Sequence, residues 1–403
     1  MEMQTVKTEK KELTITPQLC FSFLLGLLWC QNTIMPYVIQ VLKRIPVFNL
    51  FADYVMPAVI IVGIVLSVPY MLQKIKWQDF LFYISAVLIV LFFMIFDQKN
   101  SQYIEKEAYR IIVTVLPFFF IGLCFDLKKN EKLLFWLSLL GCATVFLYQF
   151  YCLYLGRELL HDNMNSAYNV LPSLCFLIYY AFLHKKIKFW LIAILFCLLE
   201  FLFGTRGPIL CLAVFFLGGL YLTVISKKSV IKKLIILFLF LLIVLAFFFT
   251  NLIDNIVHWF SLRFEEWGLS TRIFDYFIEG DIADDNGRDP LYESVITAIK
   301  NNLFGYGLMG DRYILDGSYV HNIFLEIWCQ FGVILGSGIL ISLFVVLLKP
   351  LFLRIDVENK LFIFMFISMV IPKLMLTGSY LHESNLFFLL GMCVSLIRQK
   401  RKI

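Results

Sequence analysis

Charged residues are scarce in this sequence. Only 16% of its 403 residues are Asp, Glu, Lys or Arg, whereas 61% are hydrophobic. Because a water-soluble domain needs a polar surface, this balance excludes an ordinary soluble enzyme and predicts an integral membrane protein. The net charge of +6 comes from short Lys and Arg clusters that flank apolar segments, so it does not indicate binding to nucleic acid.

Motifs for nucleotide, metal and disulfide chemistry are also missing. The sequence contains no P-loop, no Gly-rich dinucleotide fingerprint and no H-E-x-x-H motif, and its ten cysteines include no C-x-x-C pair. The acidic run from Asp281 to Asp289 resembles a calcium loop, but Ile282 stands where the first acidic ligand is required. We therefore predict no metal site, no cofactor and no disulfide framework.

Long apolar blocks, by contrast, recur along the whole chain. Most are about 17 to 25 residues long, enough to cross a bilayer as a helix, and the seventh and the last are shorter. Twelve blocks predict an all-α bundle of about twelve transmembrane helices. They lie near residues 18–42, 50–73, 79–96, 108–126, 132–155, 166–184, 189–203, 207–226, 234–252, 322–348, 360–377 and 384–397.

Basic residues alternate between the connecting segments. The positive-inside rule then places both termini in the cytoplasm. The predicted organisation is a first set of nine helices over residues 1–252, one large extracytoplasmic loop over residues 253–320, and three final helices over residues 321–403.

Ionisable residues avoid the centres of the apolar blocks. Asp53, Glu200, Glu326 and Lys373 all lie towards the predicted outer ends of their helices. Ion-coupled transporters usually hold such residues at mid-membrane, together with broken helices. The pattern therefore disfavours a transporter and indicates chemistry at the outer membrane surface.

A histidine opens the tenth block. His321 is followed by Asn322 and, one turn later, by Glu326. A neutral imidazole beside a helix N-terminus could accept a proton from a sugar hydroxyl. The alternative is a histidine that only caps the helix or contacts the membrane interface.

Two further polar strings face the same predicted side. Arg206 lies in a Gly204–Pro208 turn beside a helix N-terminus, which suits a lipid diphosphate, although a tight hairpin whose arginine contacts headgroups would have the same sequence. Arg157 and Asn165 bracket a loop that could hydrogen-bond a glycan or could be a solvated connector.

Taken together, these strings resemble the O-antigen polymerase and O-antigen ligase superfamily of bacterial membrane enzymes. The resemblance rests on Arg206-Gly207, on Gly287-Arg288 followed by a short helix over residues 290–301 and Gly305-Tyr306-Gly307, and on His321-Asn322 with Gly332 and Gly336. Three residues depart from the family pattern: Tyr292 replaces a frequent Trp, Asn302 a frequent Pro, and Leu335 a small residue or Tyr expected in ligases.

The resemblance implies a GT-C-like glycosyltransferase of the bacterial cytoplasmic (inner) membrane, with its site on the extracytoplasmic side. It implies metal-independent transfer of a glycan from polyprenyl diphosphate to an acceptor hydroxyl. His321 would activate that hydroxyl, and Arg206 and Arg288, with Arg272 as a weaker candidate, would bind the diphosphate. The candidate glycan contacts are Arg157, Asn165, Asn322 and Glu326.

Three functions stay open at this stage. A polymerase would extend a surface polysaccharide, such as O-antigen, capsule or exopolysaccharide, on its lipid carrier, and the resemblance implies a flippase and a chain-length regulator as partners. A ligase would deliver the finished chain to a lipid A core or another terminal acceptor. A lipid-linked sugar flippase is a third possibility, which the absence of charge at the block centres disfavours.

Overall fold

The computed structural model describes residues 16–43, 45, 51–154, 163–200, 203, 205–224, 252–267, 271 and 288–400. Within these residues every regular element is a helix. The helices are α1 (Pro17–Cys30), α2 (Met35–Lys43), α3 (Ala52–Lys74), α4 (Trp77–Phe96), α5 (Ser101–Tyr109), α6 (Phe118–Cys124), α7 (Leu127–Tyr154), α8 (Asn163–His184), α9 (Ile187–Glu200), α10 (Arg206–Thr223), α11 (Leu252–Glu266), α12 (Asp289–Asn301), α13 (Gly310–Ile314), α14 (Ile323–Phe331), α15 (Val333–Phe352), α16 (Val357–Leu376) and α17 (Ser384–Lys400). A π-helical segment (Arg110–Val115) joins α5 to α6, and a 3-10 turn (Tyr380–His382) precedes α17.

Eight helical segments in the described part of the chain are long and apolar enough to cross a membrane. They lie in α3, α4, α5 to α6, α7, α8, α10, α15 and α16. The predicted all-α membrane bundle is confirmed. The predicted count of twelve crossings stays a prediction, because α1, α9 and α17 have only 14, 14 and 17 residues and the block at residues 234–252 lies almost wholly outside the described residues.

Two blocks predicted as single helices are each broken into two, so that part of the prediction was wrong. The first block is interrupted after Cys30 by a turn that contains Gln31 and Asn32. The tenth is interrupted at Gly332, whose φ of +77° suits glycine. A side chain at Gly332 would overlap the carbonyl oxygen of Leu303, so the break is where the loop predicted over residues 253–320 packs against the helix.

Helix α8 forms the centre of the bundle. In its candidate span 72% of the residues are buried, against 11% in α4, which lies at the periphery. It packs against α7, α9, α10 and α16. Residues carried on α8, α10 and α16 are therefore positioned by the most tightly enclosed part of the molecule.

Small residues let α6 and α17 approach each other closely. A Cβ atom added at Gly122 would overlap the carbonyl oxygen of Phe388, and one added at Gly391 would overlap that of Phe119. Backbones this close gain van der Waals contact in an environment where hydrophobic burial contributes little between helices. The two glycines thus fix the position of the C-terminal helix.

The described part of the loop predicted over residues 253–320 folds onto α14. Helix α12 buries Val295 and Ile299 against Val320 and Cys329, which confirms the helix predicted for residues 290–301. The Gly-x-Gly element follows, and the Tyr306 amide donates a hydrogen bond of 2.8 Å to the Cys329 carbonyl. The loop is thereby held over the start of α14.

Candidate functional site

His321 lies immediately before α14. The cap of this helix is Asn322, whose side-chain oxygen accepts hydrogen bonds from the amides of Phe324 (3.0 Å) and Leu325 (3.3 Å). His321 itself has a φ of +57°, a left-handed conformation that a non-glycine residue keeps only where its surroundings fix it. Capping explains the asparagine here, and its predicted contact with a glycan stays a prediction.

One hydrogen bond identifies the tautomer of His321. Its Nδ1 atom lies 3.1 Å from the carbonyl oxygen of Thr377. A carbonyl oxygen can only accept, so Nδ1 carries the proton and Nε2 keeps its lone pair. The imidazole is therefore oriented to accept a proton at Nε2.

Electrostatics keep this imidazole neutral. Burial lowers the pKa of His321, the charges of Arg288 and Arg312 act in the same direction, and the hydrogen bond to Thr377 opposes them. A neutral imidazole at neutral pH is the form that a general base requires.

A buried ionic network lies behind His321. The Nη1 atom of Arg312 donates to both carboxylate oxygens of Asp311 (2.9 Å each) and to Oε1 of Glu326 (2.7 Å), while Nη2 donates to the hydroxyl of Ser379 (2.7 Å). Asp311 also accepts a hydrogen bond of 3.4 Å from the amide of Val320, the residue before His321. The network ties α13, α14 and the segment before α17 together.

In this network one buried guanidinium lies against two buried carboxylates. Burial raises the pKa of Glu326 to about 7, although Arg312 opposes the rise. Burial lowers the pKa of Arg312, but the charges of Asp311 and Glu326 outweigh it and keep the guanidinium protonated. Glu326 has no exposed surface and is held inside the protein by Arg312 and Ser379, and its predicted contact with a glycan stays a prediction.

Arg288 also contacts the C-terminal end of α16. It precedes α12, which has no side-chain cap, and its Nη1 atom donates to the carbonyl oxygen of Leu376. The next carbonyl along the chain is that of Thr377, which binds His321. The end of α16 therefore holds a cation and a base side by side, and these are two of the predicted site residues.

Arg206 begins α10 and is connected to this group through Tyr168 of α8. A side chain at Gly207 would overlap the Tyr168 hydroxyl, so only glycine allows the contact. Arg288 and Glu383 in turn lie close enough to Tyr168 to act on its hydroxyl electrostatically. Tyr168 thus contacts the residue next to Arg206 and lies within electrostatic range of Arg288.

Of three further predicted site residues, one is exposed and two lie outside the described residues. Asn165 is exposed, one turn before Tyr168 on the same face of α8. Arg157 and Arg272 lie outside the described residues. In the described part of the chain no three His, Cys, Asp or Glu side chains are grouped to hold a metal ion.

Sequence reasoning missed several residues of the site. Arg312, Asp311, Ser379 and Tyr168 were not among the predicted site residues. The one available signal was the pair Asp311-Arg312 beside the glycine-rich turn. Its partner Glu326 is 14 residues away and is recognised only once α14 is folded against α13.

A comparison with protein families supports one of the resemblances seen in the sequence. Residues 190–340 match the O-antigen ligase family. The predicted resemblance to the O-antigen polymerase and ligase superfamily is thereby confirmed over these residues, and members of the matching family are glycan-transferring enzymes. The match includes Arg206, Arg288 and His321, whereas Thr377 lies beyond it. Searches of curated proteins and of solved structures returned no match.

Proposed function

We propose that this protein transfers a glycan from a polyprenyl diphosphate to an acceptor sugar hydroxyl at the outer face of the bacterial cytoplasmic membrane. The observation that supports this most directly is the pairing of Arg288 and His321 on the successive carbonyls of Leu376 and Thr377. The reaction needs a base for the hydroxyl and a cation for the departing diphosphate within one site.

The chemistry assigns one step to each group. Nε2 of His321 accepts the proton of the acceptor hydroxyl while its oxygen attacks the anomeric carbon of the donor. The bond between that carbon and the diphosphate oxygen breaks, and its electron pair leaves with the diphosphate. Arg288 and Arg206 neutralise the charge that develops there, which requires no metal ion.

Within this reaction class we favour the repeat-unit polymerase, whose acceptor is a second lipid-linked glycan. Leu335 departs from the ligase pattern, and the chain, with 43 phenylalanines, resembles the more divergent Phe-rich and Lys-rich members of the superfamily. The description of the matching family as an O-antigen ligase supports the ligase as second candidate. The two differ only in their acceptor.

The experiment is transfer by the purified, reconstituted protein, supplied with the lipid-linked repeat unit of its host and a chelator. We expect a ladder of products on a gel from the wild type and none from His321→Ala. His184→Gln is the matched control, because His184 pairs with Glu131 at 2.7 Å at the opposite end of α8.

Each alternative gives a different pattern. A single shifted band that appears only when lipid A core is added would identify a ligase. Transport of the lipid-linked unit without any new glycosidic bond, unaffected by His321→Ala, would contradict the proposal. It would favour a lipid-linked sugar flippase instead.

A further inference from the structure

A lysine on α16 points to a further contact with the substrate. Lys373 lies in the last turn of this helix, and its carbonyl oxygen accepts the amide of Thr377 at 2.8 Å. The same turn provides the carbonyls that bind Arg288 and His321. The ammonium group of Lys373 is thus carried by the element that positions the base and the cation.

The Lys373 side chain places its charge beside Tyr168 of α8. Its Nζ atom lies 5.4 Å from the centre of the Tyr168 ring. The hydroxyl of that tyrosine packs on Gly207, the neighbour of Arg206. Lys373 therefore lies in the same layer as Tyr168, close to the start of α10.

Lys373 has one identified ionic partner, which is itself held independently. Its Nζ atom is 2.6 Å from Oε2 of Glu383. The other carboxylate oxygen of Glu383 accepts hydrogen bonds from the amide (3.3 Å) and the side chain (3.0 Å) of Asn385. The lysine side chain is 29% exposed and that of Glu383 only 6%, so the lysine is the accessible member of the pair.

Charge arithmetic explains what Lys373 could add. Arg312 is fully engaged by Asp311 and Glu326 inside the protein and cannot serve a ligand. Loss of the glycan leaves an additional negative charge on the terminal phosphate. The two arginines would have to neutralise this charge in the presence of the nearby Glu383 carboxylate. A third cation stabilises the departing diphosphate more than the intact donor, which is where catalysis gains most.

We propose that Lys373 is a third cationic ligand of the lipid diphosphate, and that the Glu383 carboxylate holds its ammonium group in place until a phosphate oxygen replaces it. The inference rests on the proposed transfer from a polyprenyl diphosphate. An ammonium group has three N–H donors, so contact with Glu383 and with a phosphate oxygen can also coexist during the exchange.

The test is binding of polyprenyl diphosphate and of polyprenyl monophosphate to the full-length protein in detergent. Lys373→Met should weaken diphosphate binding by roughly tenfold to a hundredfold, the usual value of a hydrogen bond to a charged group. Monophosphate binding should change less, and Lys373→Arg should keep most of the affinity. Lys360→Met, near the other end of α16, is the matched control.

A substitution of the partner gives an effect of opposite sign. Glu383→Gln should strengthen diphosphate binding, because it removes a competing and repelling carboxylate, whereas loss of a merely structural ion pair would weaken it. The double variant Lys373→Met with Glu383→Gln leaves no buried unpaired charge, so it guards against a misfolded single variant. It should bind the diphosphate more weakly than Glu383→Gln alone.

Two outcomes separate this inference from the proposed function. If Lys373→Met and the double variant bind the diphosphate as well as the wild-type protein does, Lys373 does not have the proposed role. The proposed transfer reaction would be unaffected by that result. Wild-type protein that prefers neither lipid would overturn both.

Discussion

The protonation of His321 makes glycan transfer depend on pH in a defined direction. Burial and two arginines lower its pKa below the usual value of about 6.5. The neutral base therefore persists into weakly acidic solution, and the rate should fall only below that value as Nε2 becomes protonated. Initial rates between about pH 4.5 and 8 measure this, and a fall centred above about 6.5 would contradict it.

The same profile tests the neighbouring arginine. Arg288→Met removes a positive charge that helps to lower the pKa of His321. We therefore expect a lower maximal rate and an acid limb displaced towards higher pH. An unchanged limb would mean that Arg288 does not act on the imidazole.

The buried network should make Arg312 essential for stability. Arg312→Met leaves Asp311 and Glu326 without their counter-charge in the interior, which typically costs about 3 to 5 kcal/mol. The free energy of unfolding in detergent measures the loss. Arg263→Met is the control, because the pair of Arg263 with Glu266 is exposed and such pairs contribute about 0 to 1 kcal/mol.

Individual residues were predictable from sequence only where a local pattern carried them. Arg206, Arg288 and His321 each adjoin a recognisable glycine, helix start or asparagine, and the structure brings Arg288 beside His321. Glu326 was predicted to face a glycan because the pattern shows a carboxylate near the outer end of a helix. It could not show that Arg312 would be buried against it.

At the level of helices, the crossing of α6 and α17 depends on glycine. Gly391→Ala places a methyl group where the Phe119 carbonyl oxygen lies, so the helices must separate. We expect a loss of about 1 to 3 kcal/mol, as for other overpacked interiors. Gly338→Ala on α15 has no atom within 4 Å of the added methyl group and should be neutral or stabilising in the same unfolding experiment.

The contact between α8 and α10 gives a paired prediction. Gly207→Ala should reduce transfer, because the new methyl group overlaps the Tyr168 hydroxyl and displaces the start of α10, which carries Arg206. Adding Tyr168→Phe removes the obstructing oxygen and should restore part of the rate. A double variant no better than Gly207→Ala would show that the overlap is not the cause.

Helices were predictable where the local sequence pattern determines them. Their predicted bounds were wrong where a tertiary contact determines the backbone conformation. The short helix predicted over residues 290–301 is present as α12. The break at Gly332 escaped prediction because hydropathy records apolar side chains and not the backbone, and the positive φ there is imposed by packing against Leu303. The break after Cys30 had a visible signal in Gln31 and Asn32.

For the whole molecule, composition sufficed to predict a helical membrane protein, because 61% hydrophobic residues in long blocks allow little else. The placement of helices in the bundle was not predictable. Nothing in hydropathy brings Tyr168 of α8, Arg206 of α10 and Lys373 of α16 into one layer, since each helix is apolar on several sides.

The final turn of α16 has a consequence for how such a protein can be recombined. The stretch at residues 190–340 supplies the base and both arginines, yet the carbonyls that orient His321 and Arg288 belong to Thr377 and Leu376, beyond that stretch. A chimera that exchanges residues 190–340 alone would separate reactive groups from their supports. A chimera that exchanges specificity between relatives and remains active must therefore include the whole segment from residue 190 to residue 385.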